Sequence, residues 1–185
     1  VFSHAVAGLS LGACFLRPGA PRFLPLIGAA CAVLPDLDVT GLSFGIGLDD
    51  PLGHRGFSHS IAGAVVVASI VAWGVRRYAP AAVGAVRLWL YLFAASISHG
   101  LLDAMTNGGR GVAFFAPFSE QRYHFPFRPI EVSPLSVRQF FTDRGVTIMA
   151  NELIWIWLPS LAVAALAIWL RRRSIAGSRL APRHS

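Results

Sequence analysis

Five apolar runs, at residues 4–16, 23–37, 60–75, 87–105 and 152–170, set the strongest limit on how this chain can fold. In hydrocarbon every backbone N–H and C=O must be satisfied within its own segment, so runs of this kind fold as helices. A perpendicular crossing takes roughly 20 residues, with ~17 as the lower limit. By that measure the last two runs are comfortable and the first two are short. The expectation is an all-α, polytopic transmembrane bundle of about five membrane helices, the first two paired as a tight hairpin. Composition agrees, because 55% of the 185 residues are hydrophobic and only 14% are charged. A soluble domain carries about a quarter charged residues, and a disordered chain is far less apolar.

Residues 1–173 read as one membrane domain and residues 174–185 as a basic, flexible tail. No internal repeat is evident. The opening Val1, Phe2, Ser3 and His4 lack the basic start of a cleavable signal peptide, so none is expected. Small residues (Ala5, Ala7, Gly8, Gly12 and Ala13, then Gly28, Ala29 and Ala30) mark close helix packing in the first pair. Ser58 is the expected cap of the third helix. Cys14 and Cys31 lie in apolar stretches without CxxC spacing and read as buried structural thiols.

All 16 basic residues are arginine, and with 9 acids the formal net charge is +7. The arginines fall between and after the apolar runs, the pattern of topology determinants, so no nucleic-acid partner is expected. Arg17, Arg22, Arg76, Arg77, Arg87, Arg171, Arg172, Arg173, Arg179 and Arg183 share one side if the C-terminus is cytoplasmic. The expected orientation is therefore N-terminus out and C-terminus in.

On that map the polar residues collect at the outer face: His4, Asp36, Asp38, His54, His59, His99, Asp103 and Glu152. Ionisable groups at a membrane edge are costly, and their shared level points to a site rather than to chance. His99 and Asp103 are four apart and share a helix face. Asp36 and Asp38 would point to nearly opposite sides of a regular α-helix, but Pro35 and the polar stretch after it suggest that the helix ends there, letting both carboxylates turn inward. His54 and His59 bracket Arg55 in a glycine-rich turn. Histidine and carboxylate ligands without cysteine suit zinc first, with manganese or iron as alternatives. The seven expected ligands, His4, Asp36, Asp38, His54, His59, His99 and Asp103, suffice for two divalent ions. Arg55 is the expected phosphate contact, with Arg110 and Asn107 as further substrate-binding candidates. Asp36 or Asp38 is the candidate general base, and Glu152 reads foremost as the N-terminal charge of the fifth helix.

These residues fall into motifs: Ser-His-x-x-x-Gly at 3–8, Leu-Pro-Asp-Leu-Asp at 34–38, and His-Arg-Gly-Phe-Ser-His-Ser at 54–60. Then come Ser-His-Gly-Leu-Leu-Asp-Ala-Met-Thr-Asn-Gly-Gly at 98–109 and Arg-Tyr-x-Phe-Pro-x-x-Pro-Ile at 122–130. In order and over most of the chain they resemble the YdjM/YbcI-type (DUF457) family of membrane-bound metal-dependent hydrolases. That resemblance implies a bacterial inner-membrane helical protein with a His and Asp metal centre and hydrolytic activity. A looser likeness to all-helical zinc phospholipases and nucleases favours phosphoester chemistry. A long aromatic-rich loop, residues 111–128, is placed to guide a lipid-like substrate to the site.

The expected activity is hydrolysis of a phosphoester or other ester of a lipid-like or membrane-associated substrate. The alternatives are a metal or ion transporter, or a non-catalytic membrane protein stabilised by metal. A transporter needs ligands through the membrane's depth, and the inner halves of these helices offer none. The sequence assigns no oligomeric state.

Overall fold

The computed structural model describes residues 2–80, 83–133 and 141–180, the side chains of 175–180 excepted. Among these residues the chain is all-helical and forms no strand. Helix α1 is Phe2–Phe15. Helix α2, Phe23–Val33, runs directly into a 3-10 helix, Leu34–Phe44. A 3-10 turn, Phe57–His59, leads into α3, Ile61–Tyr78, which is followed by α4, Ala85–Ala104. The last rod is continuous through α5, Asp143–Glu152, a π turn, Leu153–Trp157, and α6, Leu158–Leu180.

Four rods are long and apolar enough to cross a membrane: Phe23–Phe44, Ile61–Tyr78, Ala85–Ala104 and Asp143–Ser174. The second helix is therefore not short, because the 3-10 segment brings it to 22 residues. Pro35 sits at the start of that segment and has no N–H with which to continue the α-helical bonding. Helix α1, at 14 residues, reaches about 21 Å at ~1.5 Å per residue. That is less than the ~30 Å hydrocarbon layer, and α1 packs instead against α2, α4 and α6.

The core lies where α1, α2, α3 and α4 meet, around Leu24, Cys31, Ala32, Ala68, Leu88, Tyr91 and Leu92. Tyr91 is fully buried, and its hydroxyl donates to the Gly8 carbonyl at 3.0 Å, with the Pro25 carbonyl 3.3 Å away as a second acceptor for the same proton. The ring fits because position 28 is glycine, where a Cβ would stand 1.9 Å from the Tyr91 hydroxyl. The small residues of the hairpin thus make room for a side chain of α4 as well as for each other. The last rod is tied to α1 by Trp157 Nε1 donating to Ser3 Oγ at 2.9 Å and by Arg171 donating to the Ala13 carbonyl. Leu26, Ile70, Trp73, Val86, Leu158 and Leu166 project outward, as lipid-facing residues do.

Two local expectations are corrected. Ser60, not Ser58, caps α3, its Oγ accepting from the Gly63 N–H at 2.9 Å. Residues 57–59 already form their own turn, which moves the helix start past Ser58. Both cysteines are free, but only Cys31 is buried; Cys14 faces outward from α1.

The segment of residues 105–133 folds back on the end of α4 without forming strands. Val112 and Tyr123 exchange two backbone hydrogen bonds at 2.9 Å, and the Asn107 N–H meets the Ile130 carbonyl at 2.8 Å. It also docks on the histidine-bearing loop, through the Ala113 N–H to the Arg55 carbonyl at 3.0 Å. Arg122 reinforces that contact by donating to the His54 and Leu48 carbonyls, both at 3.0 Å. Phe118 and Phe127 remain exposed on its surface, while Phe114 is buried.

Candidate metal centre

Helix α1 supplies His4, the 3-10 segment supplies Asp36 and Asp38, the loop before α3 supplies His54, Arg55 and His59, and α4 supplies His99 and Asp103. The 3-10 winding bears directly on the two aspartates. Residues two apart stand about 160° apart on an α-helix of 3.6 residues per turn, but only about 120° apart at 3.0 per turn. Both carboxylates therefore reach the same cluster, which they do without the helix ending at Pro35. Position 100 is glycine where α4 passes the turn carrying His59. A Cβ there would lie 2.6 Å from the His59 carbonyl oxygen, so glycine is what lets the two elements close.

The imidazoles form one continuous array. His4 stacks on His99 with centroids 3.8 Å apart, His99 meets His59 edge-on at 4.6 Å, and His59 meets His54 edge-on at 5.2 Å. Two three-residue groups within it have ligand atoms mutually within 4.8 Å: His4, His99 and Asp103, and Asp36, His54 and His59. Asp103 sits between them. Its Oδ1 lies 3.4 Å from His4 Nε2, and its Oδ2 lies 2.9 Å from Arg55 Nε, 3.5 Å from His59 Nε2 and 3.8 Å from His99 Nε2. Asp36 Oδ1 stands 3.2 Å from His99 Nε2. All seven residues expected as ligands thus converge.

Their roles in the geometry differ. Asp38 belongs to neither group; it accepts from His54 Nδ1 at 2.8 Å, faces His59 Nδ1 at 3.1 Å and accepts from Ser58 Oγ. His99 Nδ1 is likewise occupied, at 2.7 Å from the Ala32 carbonyl. Anchoring one ring nitrogen fixes the tautomer and aims the other, the arrangement that prepares imidazoles for a metal. His59 Nε2 and His99 Nε2 are the corresponding nitrogens; like His4 Nδ1 they are buried and make no hydrogen bond of good geometry among the described residues, although carboxylate oxygens stand 3.5 Å from the first and 3.2 Å from the second. Burial opposes the charged form of His59, yet its bonds to Asp103 and Asp38 and their negative charges outweigh it, raising its pKa to about 9.

Arg55 is buried and extensively bonded. Besides Asp103, its Nη1 donates to Thr106 Oγ1 at 3.1 Å and to the Arg110 carbonyl at 2.8 Å. Its φ of 64° lies in the left-handed region, which costs a non-glycine residue on the order of 1 kcal/mol and recurs at functional sites. A cavity of about 200 Å³ opens beside the cluster, and its lining includes His4, Asp36, His54, Arg55 and Asp103 together with Glu131, Ser133 and Glu152. Two other substrate-binding candidates lie off this lining. The Arg110 guanidinium, about half exposed, pairs with Asp49, and Asn107 Oδ1 accepts from the Val132 N–H at 3.1 Å.

Glu152 departs most from its expected place. It ends α5 in the middle of a continuous rod rather than beginning a helix, so it is not an N-terminal charge. It is 6% exposed, lines the cavity and accepts from Ser3 Oγ and, at 2.8 Å, from Ser133 Oγ. Hydropathy places the helix start at residue 152 because α5 is amphipathic and polar on average. The mixed Ile148, Met149, Asn151 and Glu152 pattern is the signal that would have extended the helix upstream.

These features define a polytopic helical membrane protein with a buried His and Asp cluster of metal-ligating geometry at one end of its bundle. The chain belongs to the YdjM inner membrane protein family, which matches residues 1–175. It is 36% identical over 172 residues to inner membrane protein YbcI of Escherichia coli (strain K12), covering 93% of this chain and 98% of that protein. It is accordingly an integral inner-membrane protein. No solved structure matches it.

Proposed function

We propose that this chain is a membrane-embedded metal-dependent hydrolase acting on a phosphoester or other ester of a lipid-like, membrane-associated substrate. Its two His and Asp groups hold one divalent ion each, with zinc preferred and manganese or iron as alternatives. The observation that carries the reading is the set of buried, unpartnered ring nitrogens on His4, His59 and His99. A buried polar atom without a partner is costly, and one ion in each group would draw on these rings, His4 and His99 in the first and His59 in the second. The anchored Nδ1 atoms of His59 and His99 support the same reading.

Bound there, such ions would supply Lewis acidity and lower the pKa of a water to about 7. The chain's own residues provide the rest. Arg55, fixed by Asp103 and Thr106 on the cavity wall, sets a positive charge beside the cluster for a phosphoryl group. Asp36 lines the cavity beside His99 and is the candidate to take a proton from water, whereas Asp38 lies off the lining, on His54 and His59. Arg110 and Asn107 would serve a part of the substrate extending beyond the cavity. The centre lies at the outer face, with the C-terminus cytoplasmic.

The test is metal analysis of purified protein beside hydrolysis of a panel of phospholipids and phosphomonoesters. Wild type is compared with His99→Ala and Asp103→Ala. Stoichiometric metal, turnover of at least one ester and loss of both in the variants are expected. Metal without turnover of any ester would overturn the hydrolase reading, and unchanged metal content in both variants would overturn the site.

A further inference from the structure

The acids in and beside the cavity are of two kinds. Asp36, Asp38 and Asp103 each face an imidazole or guanidinium within 3.5 Å. Glu152, as deeply buried, faces only the hydroxyls of Ser3 and Ser133 and has no cationic partner among the described residues. Hydroxyls solvate a carboxylate but do not neutralise it, and an uncompensated buried charge in a membrane protein is costly enough to mark a function. Glu152 is held in place, since Trp157 Nε1 donates to Ser3 Oγ and a π turn begins at the next residue, Leu153. Glu131 lines the same cavity and also forms no ion pair among the described residues.

Consecutive residues of α1 reach both kinds. Ser3 bonds Glu152, while His4 faces Asp103 and lines the same cavity. A volume of about 200 Å³ is somewhat more than the ~150 Å³ cavity that takes a benzene-sized ligand. That is the size of a small head group.

We infer that the cavity takes a zwitterionic phosphoester head group of the phosphoethanolamine class. Its phosphate lies against the imidazoles and Arg55, and its ammonium against Glu152, with Glu131 beside it. The phosphate end rests on the hydrolase reading above; the ammonium end rests on Glu152 alone.

The test is calorimetric binding to the full-length, zinc-loaded protein in detergent, with O-phosphoethanolamine and propyl phosphate as probes. They are similar in size and differ in the ammonium. Wild type should prefer phosphoethanolamine by at least about tenfold, the value of one charge-assisted contact. Glu152→Gln should narrow that preference to within about twofold without lowering zinc content. Equal binding of both probes by wild type would overturn the inference and leave the hydrolase reading standing, whereas binding of neither would overturn both. Loss of zinc from Glu152→Gln would also overturn it, because Glu152 would then belong to a metal. If that variant does not fold, the wild-type ratio decides.

Discussion

Asp38→Asn probes how the centre is built. In the structure one carboxylate anchors Nδ1 of both His54, at 2.8 Å, and His59, at 3.1 Å. Each bond keeps a proton on Nδ1 and a lone pair on Nε2 for an ion. An asparagine carbonyl can accept from one imidazole, but its NH₂ would face the N–H of the other, so one ring loses its anchor. Losing such an orienting partner typically lowers metal affinity 10- to 100-fold, about 1.4–2.8 kcal/mol. The loss should fall on the group formed by Asp36, His54 and His59, and spare the group formed by His4, His99 and Asp103. Titration of zinc against a chromogenic chelator, in detergent, resolves the two affinities. The expected curve keeps one site near its wild-type value and shifts the other. Two sites weakened equally, or neither, would refute the claim that Asp38 orients this pair.

Metal uptake should also depend on pH. With the His59 pKa raised to about 9 in the metal-free protein, an ion must displace a proton below that value. Affinity should climb by up to about tenfold per pH unit from neutrality and flatten above pH ~9, a slope read from titrations at several pH values. Gly28→Ala should lower stability by roughly 1–3 kcal/mol, because its Cβ would stand 1.9 Å from the Tyr91 hydroxyl; thermal unfolding in detergent checks this. Arg122→Gln should free the loop carrying His54 by removing donors to the His54 and Leu48 carbonyls. The expected sign is weaker zinc binding at the His54 group with secondary structure intact by circular dichroism.

Much of the fold was legible because the bilayer permits so few solutions. Four of the five apolar runs match rods that are long enough to cross, and the first, at residues 4–16, is the short α1. The misreadings share a cause. Pro35 and the polar stretch at residues 36–40 looked like a helix end, yet a tighter helix, Leu34–Phe44, accommodates both. Residues 143–152 looked like loop because an amphipathic helix packed on protein is polar on average, which misplaced Glu152 at a helix start. Ser58 looked like a cap by position, but the turn at residues 57–59 gave its hydroxyl to Asp38 and left the capping to Ser60.

The sequence alone decided which residues could matter. In a chain 14% charged and 55% hydrophobic, each histidine or acid at a membrane edge is conspicuous, because placing it there costs free energy. Spacing along the chain could not say which of them anchors and which coordinates. That depended on contacts between residues far apart in sequence. Asp38 holds two imidazoles by their Nδ1 atoms, Gly100 lets α4 close on the His59 turn, and Ser3 bonds Glu152 at the cavity that Arg55 also lines. Hydrocarbon chemistry acts on composition and is readable in one dimension, whereas ligand geometry acts on directions that exist only once the helices have packed.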